Sequence, residues 1–216
     1  MLFRSAGGRA ALEAARALDW DATATVRAGG QDVAITGRWR VLPPDSAIST
    51  TWLTARGPST ARSLVVSAAR GWLVRDTALT PMPPETLAEE RHQFYLYALL
   101  RLVPLLDPAA RLSAAGTDSA GNRGVRVERD GRLPVTLWFD AAPRVVAMMT
   151  TFAAPGGGPG DRQDIRLEGT VAAGGITWFR RVVIRRAGSP YFEMDISALR
   201  TAAGLDNPML RGERRP

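Results

Sequence analysis

The chain has no cysteine, which excludes disulfides, thiolate metal sites and a thiol nucleophile. It has no lysine either, so all 28 basic residues are arginine; with 21 acidic residues the formal charge is +7. A single histidine, His92, excludes a metal site built on two imidazoles. No stretch reaches the ~20 apolar residues of a membrane-spanning helix. The first twenty residues carry Arg4, Arg9, Glu13 and Arg16 and no continuous apolar block, so they do not read as a signal peptide. The run Gly156–Gly160 lacks the Gly-Lys-Ser/Thr of a phosphate loop, and no serine sits in Gly-x-Ser-x-Gly. These absences leave no catalytic residue, no metal ligand set and no cofactor to nominate.

What is present is the balance of a folded domain, with 45% hydrophobic and 23% charged residues. Residues 1–210 read as one domain and residues 211–216 as a flexible tail. The arginines are scattered, and their densest runs, Arg180-Arg181 and Arg185-Arg186, are short. Nucleic-acid binders gather charge on one face, so no nucleic-acid partner is expected. Peripheral contact with an anionic membrane surface is compatible with the charge.

Arg9 to Leu18 has the spacing of an amphipathic helix, with Ala10, Ala11, Ala14, Ala15 and Leu18 on one side. Strands are expected from Trp20, from Val33 to Leu42, from Ala47 to Ala55, from Arg62 to Ala68 and from Gly71 to Arg75. Pro81-Met82-Pro83-Pro84-Glu85 leads into a helix over Glu85–Leu106, which Pro104 kinks or ends. Strands resume at Arg111 and follow one another to Ile196, with Asp130-Gly131 and Gly174-Gly175 as turns. Ala154–Gly160 is expected to be a mobile loop. The total is about ten or eleven strands and two helices. Short turns between successive strands make an antiparallel meander, and so long a sheet must curl or close.

Several elements carry a family resemblance. They are Gly71-Trp72-Leu73-Val74, Pro83-Pro84-Glu85 before the long helix, Val135-Thr136-Leu137-Trp138-Phe139-Asp140, and Gly174-Gly175-Ile176-Thr177-Trp178-Phe179. In this order they resemble the bacterial lipoprotein-carrier superfamily, the LolA/LolB-like half-barrels, over about Leu12 to Leu199. The nearest likeness is to stand-alone relatives of the tail domain of insulinase-type peptidases. The resemblance implies an α+β fold: a strongly curved antiparallel sheet, an incomplete β-barrel, with helices covering the concave side. It implies a non-catalytic protein of the periplasm or cell envelope that holds a lipid, acyl chain or other hydrophobic ligand. A cytoplasmic chain has the same composition. The alternative is a protein-interaction module of the same fold with a filled interior and no small ligand.

The candidate cavity residues follow from this fold: Trp39, Trp52, Trp72, Phe94, Leu99, Trp138, Met148 and Trp178. Aromatic rings and flexible methionines suit either a core or the wall of an apolar, dry cavity. His92, beside Glu89 and Glu90, is expected on a solvated helix face. Asp161 with Asp164, and Glu193 with Asp195, are expected to be surface partners of arginine.

Overall fold

Period-two alternation sets most of this chain. In the computed structural model, which describes residues 3–152, 160–205 and 210, it produces a single antiparallel sheet. The first half contains β1 (Ala17–Ala28), β2 (Gln31–Leu42), β3 (Ser46–Leu53), β4 (Arg62–Val66), β5 (Gly71–Arg75) and β6 (Ala78–Pro81). After helix α2 (Pro84–Leu100) come β7 (Arg111–Thr117), β8 (Arg123–Glu128), β9 (Val135–Phe139) and β10 (Val145–Phe152). The last strands are β11 (Asp161–Ala173), β12 (Ile176–Arg186) and β13 (Ser189–Ala202). The order across the sheet is β6-β5-β4-β3-β2-β1-β13-β12-β11-β10-β9-β8-β7, open at both edges.

Thirteen strands correct the expected ten or eleven. The difficulty lay at one edge. β6 is exposed along its whole length and ends on Pro81, tolerable only where no ladder partner needs its N–H. β7, at the other edge, is almost wholly exposed too, and it starts at Arg111, where strands are expected to resume. The first helix is also corrected: α1 runs only from Arg9 to Ala14. Ala17 and Leu18, which continue its helical spacing, instead start β1, where Leu18 pairs with Val41 and Thr201. A six-residue alanine-rich helix has little stability of its own, and sheet pairing wins. α2 stops near Leu100, Leu102 takes a positive φ of 62°, and Pro104 sits in a short 3-10 turn, Val103–Leu106. The expected mobile loop lies outside the described residues except for Gly160, and the expected tail lies wholly outside them.

The sheet is curled. Arg132, between β8 and β9, forms an ion pair with Asp45, between β2 and β3. At least six strand spacings separate those connections, roughly 29 Å if the sheet were flat. No pair of side chains spans that gap, so the sheet bends to bring the two sites together. Arg91 on α2 also reaches Asp45, at 3.6 Å.

α2 packs on one face, termed inner here. Leu18, Trp20, Ala22 and Ala24 of β1 lie on it, as do Ile35, Trp39 and Val41 of β2 and Met194 and Ile196 of β13, all buried. Tyr97 of α2 meets the edge of Trp20 with centroids 5.2 Å apart and stacks near Phe179 at 6.3 Å. The outer face carries ion pairs instead. Asp19 lies between Arg38 and Arg200. Arg181 reaches Glu193 at 2.6 Å and Asp195 at 3.9 Å, and Arg162 reaches Asp164 at 2.6 Å.

Gly124 on β8 makes room for an outer-face ring. A Cβ there would stand 2.6 Å from Cζ3 of Trp138 and 2.9 Å from the Ala115 Cβ. Gly124→Ala is therefore expected to destabilise the fold by about 1–3 kcal/mol, read as a lower urea midpoint. An unchanged midpoint would show that Trp138 moves aside freely.

Candidate ligand cavity

Between α2 and the inner face of β2–β5, β12 and β13 lies a cavity of about 350 Å³. Its apolar walls include Ile35, Trp39, Leu64, Phe94, Tyr97 and Phe192. Register explains their convergence. Trp39 pairs with Ser49, Ser49 with Leu64 and Leu64 with Leu73, so one row of the sheet points at the helix. That row changes from indole to hydroxyl to leucine. Ser49 is small, and space remains beneath α2 that Phe94 and Tyr97 do not fill.

The polar lining is sharper than a dry apolar cavity would require. Glu89, Glu90 and Gln93 project from α2, Arg186 from β12, and Arg62 stands exposed on β4. Arg186 is held on several sides. It pairs with Glu89 at 2.6 Å, donates to Gln163 Oε1 at 2.9 Å, and lies 3.7 Å from the Tyr191 ring centroid and 4.4 Å from that of Phe152. Glu90 has no ion pair or hydrogen bond among the described residues. Burial, with Glu89 alongside, pushes its carboxyl up to about 7, with Arg186 opposing.

The structure distributes the candidate residues over four places. Trp39 and Phe94 line this cavity. Trp178 lines a second one of about 200 Å³ with Leu100, Leu102, Leu167 and Phe179, beneath Ser5, whose hydroxyl donates to the Pro143 carbonyl at 2.8 Å. Leu99 and Met148 are packed in the core and line neither cavity. Trp52, Trp72 and Trp138 are on the outer face and outside the core cluster. Trp52 pairs with Thr36, Trp72 with Val65, and Trp138 with Gly124, each one residue out of phase with the inner row.

His92 is not on a solvated face. It is buried, because the C-terminal half of α2 is enclosed on nearly every side. Thr150 Oγ1 donates to the Pro134 carbonyl at 2.8 Å, so the His92 Nε2–H donates to Thr150 Oγ1, at 3.0 Å. Burial, with Arg132 nearby, pushes the imidazole down to about 4, and Nδ1 has no partner. Among the described residues no group of three His, Cys, Asp or Glu side chains is placed to hold a metal, and no helix is long and apolar enough to cross a membrane.

Glu90, Tyr97 and Gln93 were not among the sequence candidates. Their one signal is position: they recur at three- and four-residue spacing with Phe94 on α2, a single helix side.

A curled open antiparallel sheet with a helix against one face and a cavity between them is an arrangement that solved structures share. The chain has a LolA-like fold. A putative outer membrane lipoprotein-sorting protein domain from Vibrio parahaemolyticus superposes with a TM-score of 0.62 at 12% identity, covering 94% of this chain and 92% of that one. A LolA superfamily protein from Nitrosomonas europaea gives 0.59 at 10% identity, with 93% and 96% covered. A DUF1329 family protein from Desulfovibrio piger gives 0.58 at 9% identity, with 93% and 95% covered. No protein-family model matches the sequence, and no curated protein does.

Proposed function

We propose that the chain is a non-catalytic binding protein of the bacterial cell envelope, working as one unit over residues 1–210. It holds an apolar ligand, an acyl chain or similar, between α2 and the concave side of the sheet. The observation that carries this reading is the cavity of about 350 Å³ walled by Trp39, Phe94 and Tyr97, within the ~300–1,000 Å³ of small-molecule sites. Each CH₂ buried there contributes about 0.8 kcal/mol. The fold shared with lipoprotein-sorting and LolA superfamily domains supports the ligand class and the cellular location.

The test is native mass spectrometry of the purified protein, followed by organic extraction. A bound mass that extracts as lipid is expected. Leu64→Trp, which fills the cavity, should abolish uptake of added fatty alcohol, and Trp52→Ala on the outer face should leave it unchanged. Equal uptake by both variants would sink the reading.

A second reading rests on the outer face near β6. There Trp72, Val74 and the 47%-exposed Leu79 share one side of the sheet edge. That patch suits a protein partner, and pull-down with Leu79→Glu as the control separates the two readings.

A further inference from the structure

Building on the cavity reading above, we infer that the ligand carries a cationic nitrogen at its polar end, an amine or ammonium that lodges against Glu90. Three observations lead to this. First, Glu90 faces the cavity and is the acid there without a partner among the described residues, since Glu89 is taken by Arg186. Second, the wall beside it is aromatic: Trp39, Phe94, Tyr97, Tyr191 and Phe192 all contribute. A carboxylate set among aromatic side chains is the combination that recognises ammonium groups, through charge and through the negative ring faces. Third, of the two arginines that line the cavity, the less exposed one is already bonded. Arg186 is held by Glu89, Gln163 and the rings of Tyr191 and Phe152, and Arg62 stands exposed on β4.

An anionic head group placed at Glu90 would meet like charge from Glu90, since Glu89 is already compensated by Arg186. An ammonium there would compensate a carboxylate that burial otherwise keeps near neutrality. The other titratable or charged groups facing Glu90 are Glu89 and Tyr97 on α2, Arg186 on β12, Tyr191 on β13 and Arg62 on β4. Burial raises both tyrosines above their ordinary range, so neither becomes a competing anion. Glu90 is thus the group whose charge changes in the neutral range, and cation binding should strengthen as pH rises through it.

The experiment is calorimetric titration of the full chain with three probes that share a decyl chain: decylammonium, decanoate and decanol. At about pH 8, where Glu90 is ionised, decylammonium is expected to bind at least about tenfold more tightly than decanoate, a ratio equivalent to about 1.4 kcal/mol. Glu90→Gln should bring the two within about threefold while decanol binds as before, which reports an intact cavity. A measurement on the unaltered chain stands beside the variant: the ammonium-to-carboxylate preference should grow from about pH 6 to about pH 8. Decanoate binding as tightly as decylammonium, or a preference that survives Glu90→Gln unchanged, overturns the inference and leaves the cavity reading intact. Failure of all three probes to bind overturns the cavity reading, and this inference with it.

Discussion

Trp20→Ala is expected to lower the free energy of unfolding by about 3–5 kcal/mol, a large share of the ~5–15 kcal/mol that holds a typical domain together. Trp20 is fully buried at the centre of the sheet, paired with Trp39 on one side and Leu199 on the other. Its ring is the surface on which Tyr97 rests, 5.2 Å away, so truncation opens a void where α2 meets the sheet. The indole N–H makes no hydrogen bond, so the loss is one of packing alone. Trp52→Ala, on the outer face and only half-buried, should cost much less. Urea unfolding of the two variants, compared with the parent, decides the matter. Equal losses would mean that the inner face is not the core.

Acid titration should reveal two opposed dependences that nearly cancel in the parent. His92 titrates near 6.5 when unfolded and about 4 when folded, so the unfolded chain binds more protons between those values. Its contribution is present above pH 6.5 and is lost as pH falls toward 4. Glu90 moves the other way, from 4.5 unfolded to about 7 folded. Its contribution is present below pH 4.5 and is lost as pH rises toward 7. Each shift is worth about 3–4 kcal/mol at most, at about 1.4 kcal/mol per unit. Glu90→Gln should therefore expose a stability that falls on acidification from about pH 6.5 to about pH 4. His92→Gln should expose a stability that rises on acidification from about pH 7 to about pH 4.5. Subtracting the parent curve removes the contribution of paired surface carboxylates such as Asp19 and Asp140, which both variants keep. Parallel curves for parent and both variants would place both groups in water.

The sheet was legible because its strands alternate strongly and its turns carry glycine or proline. The helix at Pro84–Leu100 was legible from Pro83-Pro84 and the apolar run that follows. Three things were not. β6 lacks alternation because an exposed edge has no face to bury. α1 was over-extended because Ala14, Ala15 and Leu18 fit a helical period, and only the distant partners Val41 and Thr201 reveal Leu18 as strand. The tryptophans were the hardest. Composition marks them as lining residues, but phase decides the face, and phase depends on register. Trp39 and Trp52 lie on adjacent strands, yet Trp39 faces Ser49 while Trp52 faces Thr36, one step out of phase. Beyond its helical spacing the unpaired Glu90 carried no local sign, because its neighbours in the cavity come from β2–β5, β12 and β13 as well as α2.

The central seam of the sheet joins β1 to β13, the first strand in the described chain to the last, over ten registered pairs from Ala17–Ala202 to Val26–Phe192. A chain emerging from its N-terminus can assemble β1–β6 as one meander and β7–β12 as another, each from neighbours in sequence. Neither meander has a mate along β1 until the final strand appears. Completion of the sheet is therefore a closing event of long sequence separation, slow by loop entropy, and until it occurs the apolar row of Leu18, Trp20 and Ala22 borders an open edge. Residues 189–202 act as the keystone of the molecule, and a partner that shields β1 during synthesis or transit would have to let go when they arrive.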